Sequence, residues 1–455
     1  MTRPIRVAII GSGPSGIYAA DALAAQEDVA VSVDIIDRLP SPFGLVRYGV
    51  APDHLSIRSV RDTLDKVLDL ANVRFIGNVE VGRDLSLPDL RRFYDAIVLT
   101  YGASRDRSLG IPGEDLTGSI AATDFVNWYT GHPDTPPDAF AEFLSTATQV
   151  AIIGVGNVAV DVTRILVKAP GEIEHTDMPQ HVFDALRAST VTDVHIIGRR
   201  GPAQATWTTK ELRELGELEE AEVIIESDAD ASDAASQSAM ATGKVVARNV
   251  AVIEEWSQRP PRDTRRRIHL HFRRRPREIS GDVGVEQITL ERTQIDEDGR
   301  AHGTGDLSTL AVDAVIRSVG YRGTPVDGIP FDDTRNVIPN AEGRVIDGGS
   351  PIPGVYVAGW IKRGPTGIIG TNKKDAVQTV GHLLTDAADA NFRTAAQPEE
   401  SAVDAFLASV TVVDVPGWRR IDSAERALGA TRGRDRTTLH DRAQLLDAAS
   451  GVTPD

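Results

Sequence analysis

A run of six residues, Gly11-Ser12-Gly13-Pro14-Ser15-Gly16, constrains this chain more than any other feature. Before it, Ile5-Arg6-Val7-Ala8-Ile9-Ile10 has the pattern of a buried strand, and Ile17 to Leu23 after it reads as a helix. A second strand, Val31 to Ile36, ends at Asp37. Together these make a βαβ unit with the dinucleotide fingerprint in its full context. Gly11 permits the tight turn, and Gly13 lets the backbone approach a pyrophosphate at the helix N-terminus. Gly16 allows helix and strand to pack closely, and Asp37 accepts from ribose hydroxyls.

The same signal returns in the middle of the chain. Gln149 to Ile153 is a strand, Gly154-Val155-Gly156-Asn157-Val158-Ala159 is a second loop, and Val160 to Val167 continues as a helix. Its second strand, Asp193 to Gly198, ends in Arg199-Arg200. An acid at that strand end suits the free 2′-hydroxyl of NAD, whereas two guanidiniums suit a 2′-phosphate. The second site is therefore expected to take NADP. The alternative is that both arginines belong to a solvated turn.

The chain has 455 residues, room for two or three domains. It contains no cysteine. That excludes disulfides, a thiol nucleophile, a redox-active cysteine pair and a cysteine-ligated cluster. A net charge of −17 speaks against a general nucleic-acid binder. The N-terminus enters its first strand within a few residues, and no apolar run has the length of a bilayer. The expectation is a soluble, cytoplasmic protein.

Other segments are read around the two loops. Ser41 to His54 is rich in turn formers and is expected to form a loop over a site, with Asp53 capping a helix from about Leu55 to Leu70. Val73 to Ile76 and Asp95 to Thr100 read as strands. Thr208 and Glu211 fit a capping box, which accounts for Glu211 without any catalysis. Ser227 to Thr242 reads as a surface insertion. Arg259 to Arg277 is crowded with arginine, and the alternation of Ile268, Leu270 and Phe272 marks a half-buried strand with a basic face. That face is either solvated or a dock for an acidic partner. Val355 to Trp360 is a strand running into a glycine-rich turn, with a helix expected from Lys373 to about Leu384.

Five segments in order carry a resemblance: Gly11 to Gly16, Phe43 to His54, Gly154 to Asp161, Gly198 to Pro202 and Gly359 to Asn372. They resemble the adrenodoxin-reductase type of ferredoxin–NADP reductase, including its mycobacterial members, over essentially the whole chain. The tail, Gly417 to Asp422 with Glu425 and Arg432 to Arg434, resembles that family's end segment. The resemblance implies an α/β fold of two Rossmann-like dinucleotide-binding domains, the NADP domain inserted into a discontinuous FAD domain. The FAD domain would span residues 1–107 and 321–455, and the NADP domain residues 108–320. FAD would contact Ser15, Asp37, Leu45, Val81, Trp360 and Gly367, Ile368 and Ile369. NADP would contact Arg107, Gly154, Val155, Gly156, Asn157, Arg199, Arg200, Glu211 and Gly367. Asp37 departs from the glutamate common in relatives but keeps the carboxylate.

The implied activity is transfer of a hydride from NADPH to FAD, followed by delivery of single electrons to a ferredoxin-type iron–sulfur protein. No metal is required, and no nucleic acid or membrane insertion is implied; a monomer is the family's expectation. His54, Asp161 and Glu211 are the candidates for handling protons or ordering water, against readings as a loop histidine, a solvated helix acid and a capping glutamate. Arg213, the arginines from Arg262 to Arg277, and Lys362 and Arg363 are the candidate docking cations. Competing readings are an NADPH-dependent subunit like the small subunit of glutamate synthase, and a non-catalytic NADPH-sensing module. The first carries a cysteine-rich cluster region that is missing here, and the second would lack the intact Gly359 to Asn372 segment.

Overall fold

Ile5–Ile10 is buried at every position, as a strand is when both faces of its sheet are covered. The computed structural model, which describes residues 3–226, 229–367, 369–390 and 392–451, places this strand inside a seven-stranded sheet. The order is Asn340–Ala341, Arg344–Asp347, Ser350–Val357, Ala96–Leu99, Ile5–Ile10, Val31–Asp37, Val73–Gly77. The last five are mutually parallel, and the first two finish one edge antiparallel. One face buries Val7, Ile9, Val33 and Val98 against Ile17, Leu23, Val380 and Leu383. The other buries Ala8, Ile10, Ile36 and Leu99 against Leu90 and Phe93. Asp34 is the exception in this apolar sheet. It is fully buried and accepts from Arg6 Nη2 at 2.6 Å, Arg74 Nε at 3.0 Å and the Tyr94 hydroxyl at 2.8 Å, as a buried carboxylate must be partnered.

The chain divides into two compact units. The first is Met1–Arg105, Thr130–Asp134 and Tyr321–Asp455, and the second is Asp106–Tyr129 and Thr135–Gly320. Residues 130–134, read from sequence as part of the inserted domain, group with the first unit. There the His132 ring lies 4.9 Å from Tyr48 between centroids, and Asp134 pairs with Arg38 and Arg442.

The second unit is built on a six-stranded parallel sheet in the order Ser119–Ala121, Ala314–Arg317, Gln149–Ile153, Asp193–Ile197, Arg266–His271, Ala221–Ile225. A three-stranded antiparallel sheet, Arg274–Ser280, Gln287–Ile295 and Ala301–Ala311, buries Ile279, Ile288 and Leu290 with Ala151, Ile153 and Ile197.

Several expected elements differ. The helix expected over 55–70 is broken: Leu55–Arg58 and Val60–Asp65 are separate, and Lys66–Asp69 tightens to a 3₁₀ turn. His54, not Asp53, takes the N-cap position, without a side-chain cap. At the break, Ser59 Oγ donates to the Ser56 carbonyl at 2.8 Å, a local bond that competes with the helix. The 227–242 insertion carries the helix Ala234–Thr242, capped by Asp233; residues 227 and 228 lie outside the described residues. The helix expected from Lys373 to about Leu384 starts earlier, at Ile369, and runs to Ala387.

The strand with the expected basic face is Arg266–His271, and Ile268 and Leu270 are buried as the alternation requires. The cations of this strand and of the segment after it are largely paired inside the unit. Arg266 is 1% exposed and caps the Val167 and Lys168 carbonyls. Arg267 pairs with Asp193, Arg273 with Asp233, and Arg275 and Arg277 with Glu291.

One consequence of this sheet is acid sensitivity. His195 Nδ1 faces His271 Nε2 at 3.1 Å, and the His195 ring stacks on His269 at 4.4 Å. Gln149, Asp193, Glu226 and Arg267 surround the three rings. Burial, reinforced by the neighbouring imidazoles, pushes His195 down to about 3, and burial pushes His271 down to about 4. Both are therefore neutral when folded, and the unfolded chain binds their protons first. Their contribution is complete above about pH 6.5 and is lost as pH falls toward 4, at about 1.4 kcal/mol per pH unit for each proton. His195→Gln should flatten the fall in melting temperature between pH 7 and 5; an unchanged profile would reject this assignment.

Candidate functional site

The first loop sits where Ile5–Ile10 has Val31–Asp37 on one side and Ala96–Leu99 on the other, a crevice at the carboxyl ends of the strands. A Cβ on Gly16 would lie 1.9 Å from the Gly11 carbonyl oxygen, so no side chain fits there. A Cβ on Gly13 would meet nothing within 4 Å. Bare backbone thus faces open space at the N-terminus of Pro14–Ala24, where Ser15 is buried in the first turn, as a pyrophosphate cradle requires. Asp37 braces this loop. One carboxylate oxygen accepts from Ser12 N at 2.7 Å and Ser12 Oγ at 2.6 Å, and the other from Leu39 N at 2.9 Å. A carboxylate has about four acceptor positions, so room remains for a ribose hydroxyl.

Other expected flavin contacts belong to the same unit. Leu45 opens the short helix Leu45–Tyr48, and Val81 packs on the core behind the sheet. Trp360 starts a turn of helix after Ser350–Val357. Its Nε1 is buried without a hydrogen-bond partner among the described residues, a donor that calls for a ligand acceptor. Gly367 precedes the helix Ile369–Ala387, which packs along Pro14–Ala24; Ile368 lies outside the described residues. An open cradle, an acid at the strand end and an orphaned indole N–H fit a flavin dinucleotide.

The second loop is held differently. Gly154 has φ +135°, and a Cβ there would lie 2.1 Å from the Ser318 carbonyl oxygen. Val155 O accepts from Thr206 N, and Asn157 Oδ1 accepts from Thr208 N at 2.9 Å. Gly156 caps the helix Asn157–Val167, and Ala159 is buried in it. At the end of Asp193–Ile197, Arg199 is exposed and Arg200 half-buried. Neither guanidinium has a hydrogen bond or ion pair with a described residue, and burial followed by the Arg199 charge lowers the Arg200 pKa. Two adjacent, uncompensated cations fit a phosphate dianion. Arg107 is exposed, with its N–H on the Gly320 carbonyl.

The proposed proton-handling residues fall in both units. His54 is 7% exposed in the first. Asp161 and Glu211 are brought together in the second by Arg164, whose Nη1 lies 3.0 Å from Asp161, 3.1 Å from Glu211 and 3.0 Å from Glu214. Thr208 does cap Thr209–Leu215 by accepting from Glu211 N, but the Glu211 carboxylate is turned to Arg164. Arg164 was not among the residues expected at the site, although the Asp161/Arg164 and Glu211/Glu214 spacings put each pair on one helix face. Of the candidate docking cations, Lys362 and Arg363 are engaged by Asp375 and Asn372, while Arg213 is exposed on Thr209–Leu215.

Two Rossmann-type units in one chain, the second strand of one ending in an acid and that of the other followed by paired arginines, define a two-nucleotide oxidoreductase. The chain belongs to the pyridine nucleotide-disulphide oxidoreductase family, whose model matches residues 5–369, and within it to the adrenodoxin-reductase type. It is 44% identical to the NADPH-ferredoxin reductase FprA of Mycobacterium tuberculosis, over 99% of this chain and 100% of that one. It is 38% identical to the mitochondrial NADPH:adrenodoxin oxidoreductase of Arabidopsis thaliana, over 99% and 96%. The solved structure of Mycobacterium tuberculosis FprA in complex with NADPH matches with a TM-score of 0.93 at 43% identity, covering 99% of this chain and 100% of that one. The disulphide chemistry in the family's name is closed to a chain with no cysteine.

Proposed function

We propose that this protein is an FAD-containing ferredoxin–NADP reductase that takes a hydride from NADPH and delivers single electrons to a ferredoxin-type iron–sulfur protein. The observation that carries the reading is the pair of unlike strand ends: Asp37 closes the second strand of one unit, and Arg199 and Arg200, without a hydrogen bond or ion pair to a described residue, follow that of the other. FAD, when bound, supplies the conversion from two-electron to one-electron chemistry.

The chain's own part is binding and alignment. Gly11, Gly13, Ser15 and Gly16 receive the flavin pyrophosphate, Asp37 the ribose, and Leu45, Val81, Trp360 and Gly367 to Ile369 the rest of the cofactor. Gly154 to Asn157 receive the nicotinamide dinucleotide, Arg199 and Arg200 its 2′-phosphate, and Arg107 and Glu211 flank it. His54, Asp161 and Glu211 handle protons or order water, with Arg164 fixing the orientation of the two carboxylates. The exposed Arg213 is a steering cation for an acidic partner, which a protein of net charge −17 needs locally.

The purified protein should be yellow and release FAD on denaturation, and NADPH should bleach it anaerobically. Release of FMN, or a protein that stays colourless after reconstitution, would defeat the flavin assignment.

A further inference from the structure

Arg199 and Arg200 can read a phosphate only if the turn that carries them is held still. Thr293, 1% exposed, donates from Oγ1 to the Arg199 carbonyl at 2.7 Å. Its N–H donates to the Arg273 carbonyl at 2.9 Å, and the Arg273 N–H donates to the Arg200 carbonyl at 3.0 Å. Arg273 makes both bonds in the left-handed region, with φ +54°. A residue with a side chain pays for that conformation, and such strain persists where surrounding contacts enforce it. Here the contacts are visible: Arg273 Nη2 reaches Asp233 Oδ2 at 2.8 Å and the Asp230 carbonyl at 3.0 Å.

We infer that Thr293 and Arg273 are positioning residues for nucleotide selectivity: they clamp the Arg199–Arg200 backbone so that both guanidiniums are preset for a 2′-phosphate. The inference rests on the assignment of those arginines to the 2′-phosphate. The clamp touches only the carbonyls of the turn and leaves the guanidiniums free to bind. Its hydrogen bonds are made before the nucleotide arrives, so ordering costs are not charged to binding. The helix Ala234–Thr242 contributes through its capping Asp233, which binds the N–H and hydroxyl of Ser236 as well as Arg273.

Calorimetric titration of 2′,5′-ADP into the FAD-loaded protein tests this, with 5′-AMP as the control. Thr293→Val, close in shape but lacking the hydroxyl, should weaken 2′,5′-ADP by about fivefold or more, the worth of one buried hydrogen bond. Binding of 5′-AMP and FAD content should not change, and Thr293→Ser should recover most of the loss. In turnover with ferricyanide, KM for NADPH should rise by a similar factor while kcat and the KM for NADH hold. Wild-type 2′,5′-ADP affinity in folded Thr293→Val overturns the clamp, as does an equal loss for 5′-AMP. If Thr293→Val does not fold, Asp233→Asn decides: it should weaken 2′,5′-ADP selectively, and unaltered binding overturns the clamp. Should Arg199→Ala and Arg200→Ala leave 2′,5′-ADP unaffected, the 2′-phosphate assignment itself fails; if they weaken it and Thr293→Val does not, only the clamp fails.

Discussion

Arg199→Ala combined with Arg200→Ala is expected to weaken NADPH by about a hundredfold while changing NADH little. Each charged hydrogen bond is worth about 1.5–3 kcal/mol, and about 1.4 kcal/mol is a factor of ten. Two such contacts sum to about 3–6 kcal/mol, a factor of about a hundred to ten thousand. Arg199 is exposed, however, and salt screens an exposed charge, so the lower figure applies. Arg200 is half-buried beside it and carries the larger share. The readout is the ratio of kcat/KM for NADPH over NADH with ferricyanide as acceptor. An unchanged ratio would show that the phosphate is read elsewhere.

Glu425→Gln should destabilise the first unit strongly. Glu425 is completely buried, and Arg47 and Arg436 are 1% and 4% exposed. Its carboxylate accepts from both Arg47 Nη atoms, from Arg436 Nη1 at 2.7 Å and from Leu439 N at 2.9 Å. The Arg47 guanidinium lies over the Tyr48 and Trp418 rings, 5.0 and 5.5 Å from their centres. Burial alone would raise the Glu425 pKa, but the two guanidiniums overcome it and hold it below the ordinary value. Neutralising the acid leaves Arg47 without a charge partner in the interior, a loss of about 3–5 kcal/mol. Arg47 lies on the Leu45–Tyr48 helix, so the flavin loop should loosen with it and retained FAD should fall. Adding Arg47→Met should return part of the stability, because an apolar replacement of a buried pair is often neutral. A loss below about 1 kcal/mol in chemical denaturation would mean that water reaches this site.

How much of this was legible in the sequence follows from the range of each interaction. Both loops, their flanking strands and the two unlike strand ends are local patterns, and the fold places them as read. The broken helix after His54 was not legible, because the apolar spacing runs on through Ser59, whose local bond to the Ser56 carbonyl competes with the helix at the break. Arginines between 259 and 277 were visible as a charge run, but their partners Asp193, Asp233 and Glu291 come from distant segments. Periodicity cannot tell a paired cation from a free one. The same limit hid Arg164, and it hid the Arg47–Glu425 pair, whose members are 378 residues apart. Thr293 offered no signal at all: its role lies in a side-chain bond to the Arg199 carbonyl and a backbone bond to the Arg273 carbonyl, both far off in sequence or set by a turn.

The central claim is that one flavin joins a two-electron donor to a one-electron acceptor. Anaerobic stopped-flow mixing of the protein with NADPH and a panel of ferredoxins from its own organism tests it most directly, with flavin bleaching and cluster reduction followed in the same trace. The account predicts that NADPH bleaches the flavin first, that at least one ferredoxin is then reduced at two equivalents per NADPH, and that Arg213→Glu slows this second phase while leaving the first unchanged. Flavin that NADPH reduces but that passes electrons to ferricyanide and to no ferredoxin would contradict it.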